Sequence, residues 1–110
     1  MQRLRRRADF LKAATGTKAP TAPFVLQAVK RDDDGSVRVG FTVSRKVGTA
    51  VERNRVRRRL REIVKRSAAL MHPGYDYVLV GRRGALREPF ERMVASLDAA
   101  VRRVHTAARH

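Results

Sequence analysis

The stretch from Arg45 to Arg66 constrains this chain more than any other. It holds ten basic residues, Arg45, Lys46, Arg53, Arg55, Arg57, Arg58, Arg59, Arg61, Lys65 and Arg66, against two acids, Glu52 and Glu62. Its apolar residues Val56, Leu60, Ile63 and Val64 recur at i, i+4, i+7 and i+8, one narrow stripe of an α-helix. Thr49-Ala50-Val51-Glu52 matches a capping box, in which the Thr and Glu side chains satisfy orphan amides at a helix start. The spacing therefore predicts a helix from about Ala50 to about Leu70, ended by His72-Pro73-Gly74. Such a helix docks by its stripe and offers its basic faces to a partner. Ordinary solvated faces mix both signs of charge, and this one hardly does.

The whole chain extends the same reading. Its 110 residues, about 12.5 kDa, suit one domain over 1–110 with no room for a second core. Hydrophobic residues make up 43%, too many for a disordered basic tail. Lys and Arg number 26 against 10 Asp and Glu, a formal net charge of +16 that opposes compaction unless a polyanion answers it. Arg supplies 21 of the 26, and its planar fork matches phosphate and stacks on bases, which favours nucleic acid over an acidic protein. Cysteine is absent, which excludes disulfides, zinc-thiolate sites and cysteine nucleophiles. No apolar run is long enough to span a bilayer, and the basic opening Met1 to Arg7 has no hydrophobic segment behind it. A cytoplasmic protein with no membrane partner is expected.

The remaining elements follow from period and punctuation. Leu4, Ala8 and Leu11 predict a helix over residues 3 to 14, stopped by Gly16. Thr15 to Pro23, with Gly16, Pro20 and Pro23, reads as a loop. Phe24 to Lys30 and the alternating Val37 to Ser44 read as two strands of a hairpin around Asp32-Asp33-Asp34-Gly35. Tyr75 to Gly81 is a third strand, Arg82 to Gly84 a loop, and Pro89 opens a last helix with Phe90, Met93, Val94, Leu97, Val101 and Val104 on one face. The order α-β-β-α-β-α is that of an α+β fold with helices packed on a small, mostly antiparallel sheet.

The run from Val39 to Arg58, VGFTVSRKVGTAVERNRVRR, resembles the signature of the bacterial ribonuclease P protein family. In that pattern a strand ends in Ser-(Lys/Arg)-Lys, then come a Gly, Ala-Val, and Arg-Asn-Arg with paired basic residues after it. Arg3-Leu4-Arg5 before Asp9-Phe10, Phe24-Val25-Leu26 and Gly74-Tyr75-Asp76-Tyr77-Val78 extend the likeness over the chain. The resemblance implies an α-β-β-β-α-β-α order with a left-handed βαβ crossover, against the general rule. It implies that an RNA subunit hydrolyses the substrate with bound Mg²⁺, while the protein binds ribonuclease P RNA and the 5′ leader of precursor tRNA. Carried over to this sequence, Arg45, Lys46, Arg55, Arg58 and Arg61 contact the RNA subunit. Phe10, Arg53, Asn54 and Arg57 face the leader. Two departures stand out: Ala14 occupies the turn after Phe10 where the family often has an aromatic, and Gln27 stands where it often has Tyr.

Other readings have less behind them. A protein nuclease would need convergent carboxylates or a His pair. Asp32, Asp33 and Asp34 sit where a turn favours Asp, and His72, His105 and His110 have no partner at a recognisable spacing. No catalytic residue or metal ligand is therefore expected in the protein. A ribosomal-type RNA-binding protein would share the charge and size. A membrane-surface or DNA-compacting helix would need the very stripe the helix uses for its own core, so no DNA partner is expected.

Overall fold

The computed structural model describes residues 1–107. In chain order the elements are β1 (Gln2–Arg3), α1 (Arg7–Ala14), β2 (Thr17–Pro20), β3 (Phe24–Lys30), β4 (Arg38–Thr42), α2 (Ala50–Ser67), β5 (Tyr75–Gly81) and α3 (Phe90–Ala107). Five strands form one sheet in the order β1-β4-β5-β3-β2, with α2 and α3 on one face and α1 on the other. The α+β class and the α-β-β-β-α-β-α order hold, with β1 added in front. The sheet is mixed rather than mostly antiparallel: β4 runs parallel to both β1 and β5, while β3 is antiparallel to β5 and β2.

β5 explains the largest departure from the sequence reading, since it lies between β3 and β4 and abolishes their hairpin. Asp76, Tyr77, Val78 and Leu79 are all buried, as expected of a strand covered on both faces and needing a neighbour on each edge. The Asp-Gly segment is thus a loop spanning the end of β5, not a tight turn. Its backbone receives the incoming chain: Arg31 N–H donates to Gly74 O at 2.7 Å, and Gly74 N–H to Gly35 O at 2.7 Å. Gly74 has φ +79°, a conformation that a side chain would strain.

Three smaller corrections concern the first twenty residues. Residues 3 to 6 are not helical, because Gln2 and Leu4 spend their amides on Val37 and Val39 carbonyls of the neighbouring strand. Leu4 is still core, but Leu11 is 57% exposed, so the stripe assumed for them does not exist. The segment read as a loop contains β2, an edge strand that ends on Pro20, where the missing N–H does no harm.

The core lies almost wholly on the α2–α3 side. Phe24, Leu26, Tyr77 and Leu79 of the sheet meet Val56, Leu60 and Ile63 of α2 and Met93, Leu97, Val101 and Val104 of α3. The opposite face carries a small cluster of Leu4, Ala13 and Val78 with Phe10, Val29 and Val80 against it.

Candidate nucleic-acid interface

The helix α2 begins where its capping box places it. Glu52 N–H donates to Thr49 Oγ1 at 3.2 Å, and Thr49 N–H to Glu52 Oε1 at 3.0 Å. That backbone hydrogen bond, with Arg83 beside it, holds the Glu52 carboxyl below the usual range. Regular α-helix ends at Ser67 and a 3₁₀ turn continues to Leu70. The segment before it, Arg45–Val47, is another 3₁₀ turn, tied down by Arg83 Nη1 donating to Val47 O at 2.7 Å.

The ten bases of this stretch fall into two sets. Three are used by the fold. Arg59 donates to Ala85 O at 2.8 Å and Glu88 O at 2.6 Å, closing the 83–86 turn against α2. Arg66 lies over the Phe90 ring and near Glu91, and Lys65 pairs with Glu62 at 3.1 Å. The other seven, Arg45, Lys46, Arg53, Arg55, Arg57, Arg58 and Arg61, make no side-chain hydrogen bond or ion pair among the described residues. Arg59 and Arg66 lie with Glu52 on the flank toward α3 and the 83–86 turn, a side that Arg55 also borders, whereas Lys65 lies with Arg61 on the opposite flank, toward β1.

Asn54, Arg57, Arg58 and Arg61 line one open concavity beside Val51, which is 77% exposed. Residues that the family pattern divides between leader and RNA subunit therefore share one surface. Arg55 lies nearer the other side of the helix, with Arg58 and Arg59 by Phe90 and with Arg83 and Arg87 across a second hollow. The sequence reading passed over Arg83 and Arg87, which carry no motif and reach α2 only through the fold.

Phe10 is on the far side of the sheet, half-buried, with its ring edge against Gly40. A Cβ at Gly40 would lie 2.6 Å from that ring, so the glycine is what lets Phe10 seat on β4. Ala14 is one turn along α1, and Gln27 is on the face of β3 that turns toward α1, partly open like Ala14. Neither brings a ring to that face.

Two buried polar constellations escaped the sequence reading. Asp76 accepts from Arg38 at 2.7 and 2.6 Å and from Arg31 at 2.8 Å. Burial alone would raise its pKa, but these two guanidiniums outweigh that and hold the carboxyl below the usual range. The second contradicts the expectation that the histidines stand apart. His72 and His105 stack with ring centroids 3.5 Å apart, and His105 Nε2 shares a 2.6 Å hydrogen bond with the Tyr77 hydroxyl. Burial pushes Tyr77 up to about 12, so it stays a neutral phenol that also accepts from His72 N–H at 2.9 Å. Both constellations tie distant segments that no local pattern links. His110 lies outside the described residues. No group of three or more His, Cys, Asp or Glu among the described residues is placed to hold a metal ion.

Comparison with known proteins decides what this interface belongs to. The ribonuclease P family profile matches residues 1–105. The chain belongs to the ribonuclease P protein family. A ribonuclease P protein component of Gluconacetobacter diazotrophicus is 49% identical over 105 residues, covering 92% of this chain and 89% of that one. One of Ruegeria pomeroyi is 45% identical over 106 residues, covering 93% and 85%. Among solved structures, the ribonuclease P protein of Thermotoga maritima superimposes with a TM-score of 0.77 at 31% identity, covering 93% of this chain and 97% of its own. That of Staphylococcus aureus gives 0.77 at 25% identity, covering 93% and 94%. As a ribonuclease P protein, the chain is a subunit of a ribonucleoprotein endoribonuclease of tRNA processing. No helix among the described residues is long and apolar enough to cross a membrane.

Proposed function

We propose that the chain acts as one domain that binds ribonuclease P RNA and the 5′ leader of precursor tRNA in the cytoplasm. It thereby assists endonucleolytic 5′ maturation. Hydrolysis belongs to the RNA subunit and its Mg²⁺. Arg45, Lys46, Arg55, Arg58 and Arg61 contact the RNA subunit, and Arg53, Asn54 and Arg57 hold the leader by its backbone, with Phe10 as its stacking ring.

One observation carries this reading: the seven bases assigned to RNA from the family pattern are the seven of that segment the fold leaves unpaired. Exposed guanidiniums without internal partners release counterions when phosphates approach, which supplies affinity. Arg55→Ala combined with Arg58→Ala tests it. Affinity for ribonuclease P RNA is expected to fall, and the log-log salt slope to flatten by about 0.7 to 0.9 for each phosphate left without its cation. Unchanged affinity and slope would move the RNA surface off α2.

A further inference from the structure

The basic surface does not end with α2. Arg57, Arg61 and Lys65 follow one another at intervals of four along the flank that turns toward β1, so they form a ridge there. Between this ridge and β1 runs a groove of about 340 Å³, at the lower end of the roughly 300–1,000 Å³ usual for small-ligand sites. Its floor is apolar, made by Val39, Phe41 and Val64, and its rims are Arg61 and Lys65 on one side and Arg3 on the other. Arg3 pairs with Val39 in the parallel register, so its side chain shares the α2 face of the sheet. Lys65 is 73% exposed, and its pairing with Glu62 is a surface contact that a phosphate can displace.

A flat apolar floor between cationic rims is the chemistry of an unpaired nucleotide, whose base needs an apolar seat and whose flanking phosphates need charge. β1 adds a reading edge. The Gln2 and Leu4 amides are spent on Val37 and Val39, so the ladder turns the backbone of Arg3 outward, toward the open side of the sheet. A lipid or apolar peptide would leave three guanidinium and ammonium groups around it unanswered.

We infer that the groove between β1 and α2 seats one unpaired nucleotide of the RNA subunit, its flanking phosphates on Arg61 and Lys65 and on Arg3. The inference rests on the proposed RNA-binding role and adds a contact beyond α2. The RNA subunit rather than the leader is the source because the α2 rim is Arg61, which the family pattern gives to the RNA subunit, and Lys65, while Arg53, Asn54 and Arg57, given to the leader, do not line the groove. Phe10, the leader's proposed stacking ring, lies on the opposite face of β4, against Gly40.

The test uses the full chain assembled with ribonuclease P RNA and precursor tRNA. A photoreactive benzoylphenylalanine replaces Phe41, on the groove's floor, or, in a second sample, Val51 on the outer face of α2. The Phe41 probe is expected to crosslink to a nucleotide of the RNA subunit that is unpaired. Arg3→Glu with Lys65→Glu is expected to remove that crosslink and weaken affinity for the RNA subunit on the order of tenfold, with unchanged thermal unfolding. A Phe41 probe that misses the RNA subunit, reaches only the leader, or survives the charge reversal overturns the inference. If the Val51 probe still reaches the RNA subunit in those cases, the proposed function stands without it. Failure of both probes overturns both.

Discussion

The two faces of the sheet are held in different ways. On the α2–α3 side, aliphatic and aromatic side chains from four strands and two long helices interlock, and the polar groups of Tyr77 and His105 and of Ser67 and Asp98 are paired with each other. On the α1 side a helix of eight residues covers a cluster with three buried members, and the buried Asp76 ties β4 and the 31–37 loop to β5 through Arg38 and Arg31. The first face is built to be permanent. The second leaves sheet surface uncovered, and that is where Phe10, the proposed leader contact, stands. A chain of this size has apolar residues enough for one thick layer, and the thin layer relies on charge and hydrogen bonds.

The sharpest way to break this comparison is to weaken each face separately. Leu60→Ala opens a cavity in the thick core and is expected to cost about 2–5 kcal/mol, nearly independent of pH. Asp76→Ala leaves Arg31 and Arg38 without their shared carboxylate and is expected to cost about 3 kcal/mol. The two differ in how they respond to acid. Because Asp76 is held below its ordinary value in the folded protein, the stability it adds is present above about pH 4 and lost as pH falls through the folded value. The wild-type and Leu60→Ala proteins should therefore share an acid limb that is shallower in Asp76→Ala, where Glu52 and Asp33 still contribute, measured by urea unfolding between about pH 2 and pH 7. Equal acid limbs in all three would place the α1 side's stability elsewhere.

A smaller effect sharpens the contrast within α2 itself. Arg58 and Arg59 are chain neighbours, yet Arg59 is bonded to two carbonyls and Arg58 has no partner among the described residues. Arg59→Ala is expected to lower stability by about 2 kcal/mol, since two charge-assisted bonds go, with little direct effect on RNA affinity. Arg58→Ala should do the reverse. Thermal unfolding and RNA affinity measured on both variants would show whether the assignment has been exchanged.

The smallest expected effect lies on the thin face. Phe10→Ala should weaken binding of precursor over mature tRNA by on the order of tenfold, because only the precursor carries a leader to stack on the ring. Ala14 and Gln27 provide no second ring, so preference among leader bases should be shallow in affinity measurements on precursors that differ only in leader. A steep preference that survives Phe10→Ala would remove Phe10 from the leader's path.

What could be read from the sequence tracks the same division. α2 was legible to its first residue, because a capping box, a four-residue stripe and a Pro-Gly stop all act within one element. Strand β5 was legible for its length but not its place, since nothing local says that a seven-residue apolar strand will insert between β3 and β4. The N-terminal region misled because β1, α1 and β2 are short and take their conformations from the strands they lie on. Leu4 is apolar for β4's sake, not for a helix. At the interface, charge marked the segment, and the bases that the family pattern picks within it are those that the fold leaves without an internal partner among the described residues. Arg59 was separable from Arg58 only once the 83–86 turn was in place, and Arg3 joined the basic surface only through the parallel pairing of β1 with β4.

The central claim, that this protein contributes binding and its RNA partner the chemistry, is tested most directly by reconstitution. Cleavage of a precursor tRNA is measured at low magnesium with the protein alone, with ribonuclease P RNA alone, and with both. The account predicts no cleavage by the protein alone, little by the RNA alone, and efficient cleavage at the mature 5′ end by the two together, abolished by Arg55→Ala and Arg58→Ala combined. Cleavage at that position by RNA-free protein would contradict it, as would a protein that leaves the RNA's activity unchanged.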